Sequence, residues 1–220
     1  MYWQEELDEA TYRVPDQVVD LLFKIRCPSL PVDHAWGLSE AIQAQLPWFA
    51  EEPQAGLHLL YGADSGNGWE RPQGKQELIY LSRRTRLALR LPKQRLAEAA
   101  RQLTGQTLQI LGHELEIGAS HTRELSKTTT LYSRFVVHAE GLDEEAFLAE
   151  AVAQLRRMQL RFKKVLCGKG YRFASPHGEL PTQSLMVAGL PVDDSITLQQ
   201  QGLGEHRQRG FGLFVPHKTV

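Results

Sequence analysis

The sequence is poor in cysteine and has no long apolar run. Of its 220 residues only Cys27 and Cys167 are cysteines, far apart and without CxxC spacing. That pair supports neither a zinc site nor a disulfide scaffold, and it fits a reducing compartment. No run of about 18 apolar residues occurs, so no membrane-spanning helix is expected. The opening segment, MYWQEELDEATYRVPDQ, is acidic and lacks the basic and apolar regions of an export signal. The expected location is therefore cytoplasmic. The histidines show neither HxH nor HExxH spacing, and Asp193-Asp194 is the one Asp-Asp pair. Neither a metal site nor a cofactor is expected from such spacing.

A strong net charge is lacking too: the formal value is -1. The charges are nevertheless unevenly spread. Residues 1–80 carry 5 basic and 13 acidic groups, whereas residues 81–220 carry 20 basic and 13 acidic groups. Two stretches have no acid: SRRTRLALRLPKQR (82–95), with six basic groups, and RRMQLRFKKVLCGKGYR (156–172), with seven. A polyanion would meet those stretches, and the field of a patch matters more than the sum. An ordinary solvated surface is the alternative reading of the same charges.

The chain reads as strands and helices of an α+β protein. VVDLLFKIRC (18–27) is a buried strand. Asp33 is placed to cap a helix, HAWGLSEAIQAQLP, which Pro47 closes. LHLLYG (57–62) reads as a strand and ADSGNGWERPQGK (63–75) as a loop. ELIYLS and TRLALRLP follow as strands, then a helix over 93–105 ended by Gly105, then a strand pair turning near Gly112. That order is β-α-β-β-α-β, the ferredoxin-like motif. The same order then repeats. A strand over 131–139 precedes a helix over 143–159 with Asp143 near its cap, and a basic hairpin over 161–175 is expected around Gly168 and Gly170. A strand over 179–190, a short helix over 191–204 and a last strand over 210–218 complete it. The expected fold is two tandem ferredoxin-like (RRM-like) domains, over 1–125 and 126–220, because HTRELSKTTT (121–130) breaks the periodicity.

The sharpest motif is Gly202-Leu203-Gly204-Glu205-His206-Arg207-Gln208-Arg209-Gly210-Phe211-Gly212. Two Gly-x-Gly units flank five polar residues. Such a loop can aim amide N–H groups at phosphates while Arg207 and Arg209 supply charge. No Gly-Lys-Ser/Thr ends it, so it is not a Walker loop. The plain alternative is a flexible turn. This segment resembles the glycine-rich signature of the CRISPR repeat-processing endoribonucleases, with Gly-apolar-Gly, five residues that include Lys or Arg, and Gly-apolar-Gly. The stretches DSITLQQQGLGEHRQRGFGLFVP and LPVDHAWGLSEAI are most similar to the myxobacterial-type (type I) subgroup. The resemblance covers both ends of the chain, and residues 48–130 carry little that is diagnostic.

The resemblance implies metal-independent cleavage of precursor CRISPR RNA. The ribose 2'-OH would attack the adjacent phosphorus, leaving a 2',3'-cyclic phosphate and a 5'-OH. Family members often place a catalytic histidine in or beside the first helix, and His34 is the matching position. Imidazole can accept or deliver a proton near neutral pH. Lys169 and Tyr171 are candidates, by chemistry, to orient the attack or stabilise the phosphorane. Arg156, Arg157, Arg161, Lys163, Lys164 and Arg172 form the candidate basic RNA-binding block. Gly202, Gly204, His206, Arg207, Arg209, Gly210 and Gly212 form the candidate binding loop. The implied partners are CRISPR repeat RNA, as precursor and mature guide, and other subunits of a type I interference complex. Two rival classes stay open: a non-catalytic subunit that only binds guide RNA, and a nucleotide-acting enzyme of the same fold.

Overall fold

The computed structural model describes residues 14–62, 71, 72, 74 and 77–217. The acidic opening segment up to residue 13, most of the loop read over 63–75, and the last residue of the final strand read over 210–218 lie outside those residues.

β1 (Val18–Arg26) is the central strand of the first sheet. It pairs antiparallel with β5 (Arg86–Pro92) on one side and with β7 (His113–Arg123) on the other. β3 (Gly56–Leu57) lies outside β5, and β6 (Thr107–Ile110) outside β7. α1 (Ala35–Gln45) and α2 (Leu96–Leu103) supply Leu38, Ile42 and Leu103 to a core shared with Phe23, Leu89 and Leu115. Each such side chain contributes about 1.5–3 kcal/mol when removed from water. Strand alternation turns Asp20 and Leu22 to the opposite face, and both are buried there as well. That is why Val18 to Phe23 reads as one unbroken buried run. A separate two-stranded ribbon pairs β2 (Ser29–Pro31) with β4 (Leu78–Tyr80).

The second sheet has the order β11-β8-β10-β9. Its strands are β8 (Thr130–Val137), β9 (Lys164–Ser175), β10 (Gly178–Ala188) and β11 (Val215–Pro216). α3 (Glu144–Arg157) follows β8 and α4 (Val192–Gln201) follows β10. Asp143 caps α3, its carboxylate accepting from the Ala146 N–H at 2.8 Å. With β6 set aside, the strands of each sheet run fourth-first-third-second, so both halves have the ferredoxin-like arrangement.

Three expectations need correction. Asp33 does not cap α1. The cap residue is His34, whose side chain makes no capping bond, and the Asp33 carboxylate is engaged by Arg71. The basic hairpin does not turn at Gly168 and Gly170. Both lie inside the twelve-residue strand β9, and the turn falls at 176–177. There the Ser175 hydroxyl donates to the Gly178 carbonyl at 2.7 Å and accepts from the His177 N–H at 3.2 Å. Finally, the strands read over 57–62 and 210–218 are mostly irregular. Leu59, Leu60 and 210–214 are buried, committed to packing rather than to a ladder.

Candidate nucleic-acid interface

The two halves meet through the glycine-rich segment. Ser39 on α1 donates to the Gln208 carbonyl at 2.8 Å, and the Gln208 amide donates to the Glu52 carbonyl at 3.0 Å. A Cβ at Gly210 would collide with the Leu59 side chain. Gly212 holds φ +66°, and a Cβ there would run into the Leu203 carbonyl. The segment's amides are largely used within the chain. Gly202 donates to Leu198, Leu203 to Gly212, Gly210 to Arg207, and Gly212 to Phe135 at 2.7 Å. Gly202, Arg207, Gly210 and Gly212 are therefore buried as a wedge. Within the loop Gly204 and Glu205 are exposed, and His206 and Arg209 are half-buried. His206 packs 5.7 Å from the Trp36 ring, and the Arg209 guanidinium lies 4.7 Å over that ring. Burial lowers the pKa of His206. Burial also pushes Arg207 down to about 10, with the charge of Arg90 adding to the effect.

Behind the wedge lies a buried ionic cluster. Asp20 on β1 stands across from Arg90 on β5 and Arg123 on β7. Arg90 donates to Asp20 at 2.9 Å and also to the carbonyls of Gln199 and Phe214 at 2.8 and 2.9 Å. One guanidinium in the first sheet thus holds both ends of the glycine-rich segment. Burial alone would raise the Asp20 carboxyl, but Arg90 and His58 outweigh it and hold it well below the usual carboxylate range.

His34 is 3% exposed, and both ring nitrogens are engaged. Nδ1 lies 3.0 Å from the Pro31 carbonyl, and the Leu60 N–H donates to Nε2 at 3.2 Å. A carbonyl only accepts and an amide N–H only donates, so the ring is neutral with its proton on Nδ1. Burial, the leading cause, pushes its pKa down to about 4. The neighbours of these groups join an apolar cluster separate from the cores of the two halves. Ala35 and Leu59 pack with Phe135, Phe173 and Phe211, and Trp36, Tyr61 and Tyr171 pack at its margin. Burial pushes the Tyr61 phenol up to about 12.

Beside this cluster a cleft of about 730 Å³ runs between the halves. Asp33 and Arg71 line it from the first half, and His138, Lys169, Tyr171 and Arg172 from the second. Two of the three candidate catalytic residues, Lys169 and Tyr171, therefore share one cavity with the residue that precedes the third. Arg71 and His138 did not stand out in the sequence. Arg71 pairs with Asp33 and lies 4.2 Å over the Phe173 ring, but its stretch reads only as a Gly- and Pro-rich loop. His138 directly follows β8, with Nδ1 at 2.9 Å from the Ala139 carbonyl.

In the basic block four side chains are exposed and two are held in ion pairs. Arg156, Arg157, Lys163 and Lys164 are exposed near the end of α3 and the start of β9. Arg161 pairs with Asp194 at 2.9 Å, and Arg172 with Glu140 at 2.8 Å and Glu179 at 3.5 Å. Among the described residues no group of three His, Cys, Asp or Glu side chains could hold a metal ion. Among them, too, no helix is long and apolar enough to cross a membrane.

Fold and cleft together define the class: two tandem ferredoxin-like halves joined through a glycine-rich segment before the last strand. The Cas6 CRISPR family profile matches residues 19–219. The chain is 30% identical over 198 residues to the CRISPR-associated endonuclease Cas6 of Myxococcus xanthus (strain DK1622), covering 90% of this chain and 81% of that one. Among solved structures, a CRISPR-associated protein Cas6 superposes with a TM-score of 0.67 at 13% identity, covering 91% of this chain and 100% of the other. A RAMP protein binding different RNA substrates gives a TM-score of 0.63 at 14% identity, with coverages of 89% and 98%. The two superpositions speak for the fold. The chain belongs to the Cas6 family of CRISPR-associated endonucleases.

Proposed function

We propose that this chain binds CRISPR repeat RNA and cuts precursor RNA within the repeat, without metal, by 2'-OH attack. The observation that carries the reading is the interlobe cleft, where Asp33, adjoining His34, faces Lys169 and Tyr171. His34 is the general base. The Pro31 carbonyl fixes the Nδ1–H tautomer, which leaves Nε2 to take the 2'-OH proton once the Leu60 N–H lets go. Lys169 balances charge on the pentacoordinate phosphorus, and the Tyr171 hydroxyl orients the attacked phosphate. As the 2'-oxygen bonds to phosphorus the bond to the 5'-oxygen breaks, and that oxygen takes a proton from solvent, which leaves a 2',3'-cyclic phosphate and a 5'-OH. Arg156, Arg157, Lys163 and Lys164 hold the backbone of the repeat, and the trimmed RNA passes to a type I interference complex.

One observation favours a variant of this reading. His34 is buried with both nitrogens occupied, so it also suits a strut between Pro31 and Leu60. The imidazole that lines the cleft itself is His138. Cleavage of labelled repeat RNA by His34→Ala and His138→Ala, each with its RNA affinity measured, separates the two. Loss of cleavage with binding kept in His34→Ala supports His34. The same result in His138→Ala alone moves the proton transfer there.

A further inference from the structure

A second depression lies next to the cleft, and the same two side chains wall both. It is a groove of about 390 Å³ on the second sheet, walled by residues of β8, β9 and β10. That volume falls in the ~300–1,000 Å³ range of small-molecule sites. Lys169 and Tyr171 line the groove as well as the cleft, forming the ridge between them. Beyond the ridge the groove holds Tyr132 and Arg134 of β8 and His217 after β11. The His217 ring meets the Tyr132 ring edge-on, with centroids 5.8 Å apart. The Arg134 guanidinium lies 5.0 Å over Tyr61 and 6.0 Å from the Tyr132 ring centroid. Part of the lining is bare backbone: Gly168 is exposed within β9, and a Cβ there would press on the Ser184 hydroxyl at 2.8 Å. A glycine inside a strand is costly for the sheet, and Gly168 stands where the register of β9 and β10 shifts.

We infer that this groove is a nucleobase subsite, taking one unpaired nucleotide of the repeat RNA next to the segment held in the cleft. The chemistry fits that occupant. Tyr132 and His217 offer ring faces and edges for stacking, and Arg134 and Lys169 offer cations for the flanking phosphates. No carboxylate stands among the described lining residues, whereas the cleft contains Asp33 and Glu179. The shared ridge lets one strand pass from cleft to groove without crossing an acidic surface. RNA-reading sheets of this fold stack unpaired bases on strand aromatics. The inference rests on the proposed function, since it adds a recognition point for the same RNA.

The test uses the full chain and repeat RNA with a deoxyribose at the cut. Affinities of the wild type, Tyr132→Ala and Tyr132→Leu are measured for RNAs carrying a single abasic site moved along the unpaired flanks. One abasic position is expected to weaken the wild type by about 5- to 150-fold in Kd, the range of base–aromatic stacking. Tyr132→Ala and Tyr132→Leu should weaken intact RNA by a similar factor and show no further loss at that position. The Leu variant keeps bulk and strand propensity, so a folding defect does not mimic the result. Wild-type cleavage of the ribose RNA alongside unchanged affinity in both variants would overturn the subsite alone. So would abasic losses that simply add to theirs. Failure of the wild type to bind or cut repeat RNA would overturn the proposed function and the subsite together.

Discussion

At His34 two backbone groups decide where the proton sits. The Pro31 carbonyl takes the Nδ1–H, and the Leu60 N–H faces the Nε2 lone pair. As a base, this imidazole should give about 10²- to 10⁴-fold in rate. His34→Ala is thus expected to lose that factor in single-turnover cleavage while Kd for uncleaved RNA stays near the wild-type value. His34→Gln can offer both an amide donor and an acceptor to the same partners. A Gln variant that cleaves normally would sink the base role and leave a strut. The pH dependence of stability has a definite sign. The folded imidazole sits at about 4, below its ordinary 6.5, because burial disfavours the cation. The unfolded chain therefore binds the proton first as pH falls. The contribution is full above pH 6.5 and is lost between 6.5 and 4, about 3 kcal/mol for a shift of that size. His58, also lowered by burial, adds to the same loss. Urea unfolding over this range should show a steep fall that is shallower in His34→Gln.

The glycine-rich segment shows what an element can hide. Its sequence advertises a loop, and the loop is there, with Gly202, Gly204, Gly210 and Gly212 all at positive φ. Its inward direction was not legible. The contacts that turn it inward, to Ser39, Glu52 and Leu59, lie about 150 residues or more away in the chain. Gly212→Ala should cost about 1–3 kcal/mol from backbone strain, and more from the clash with the Leu203 carbonyl. Urea denaturation measures it, and an unchanged midpoint would mean that the wedge is not rigid. Element order, by contrast, could be read from hydrophobic periodicity, because each core is local to its half. In the hairpin Gly168 and Gly170 look like a turn, whereas the true turn, Ser175 to Gly178, is short and carries a single glycine. Among candidate site residues, Lys169 and Tyr171 could be found by type. Arg71 and His138 could not, since their place in the cleft comes from tertiary packing.

For the whole molecule, Arg90 is the pin. It is 1% exposed, pairs with Asp20, and holds two carbonyls of the second half. Arg90→Met leaves a buried carboxylate without its main partner, a loss of about 3–5 kcal/mol. Adding Asp20→Leu should recover much of that stability without restoring the contacts to Gln199 and Phe214. A double variant as unstable as Arg90→Met would show that the carbonyl bonds, not the ion pair, carry the energy. The patchy charge also has a readout. RNA affinity should fall steeply with salt, and each of Arg156→Ala and Lys164→Ala should reduce the slope by roughly one counterion or less. A slope unchanged in both would remove these residues from the interface.

The most direct measurement incubates the purified protein with end-labelled repeat RNA in EDTA, beside the same RNA carrying one 2'-deoxyribose at the cut. Cleavage of the all-ribose RNA to a 2',3'-cyclic phosphate end, with none of the deoxy-substituted RNA, is the predicted result. No cleavage in EDTA, or cleavage of both RNAs alike, would contradict it.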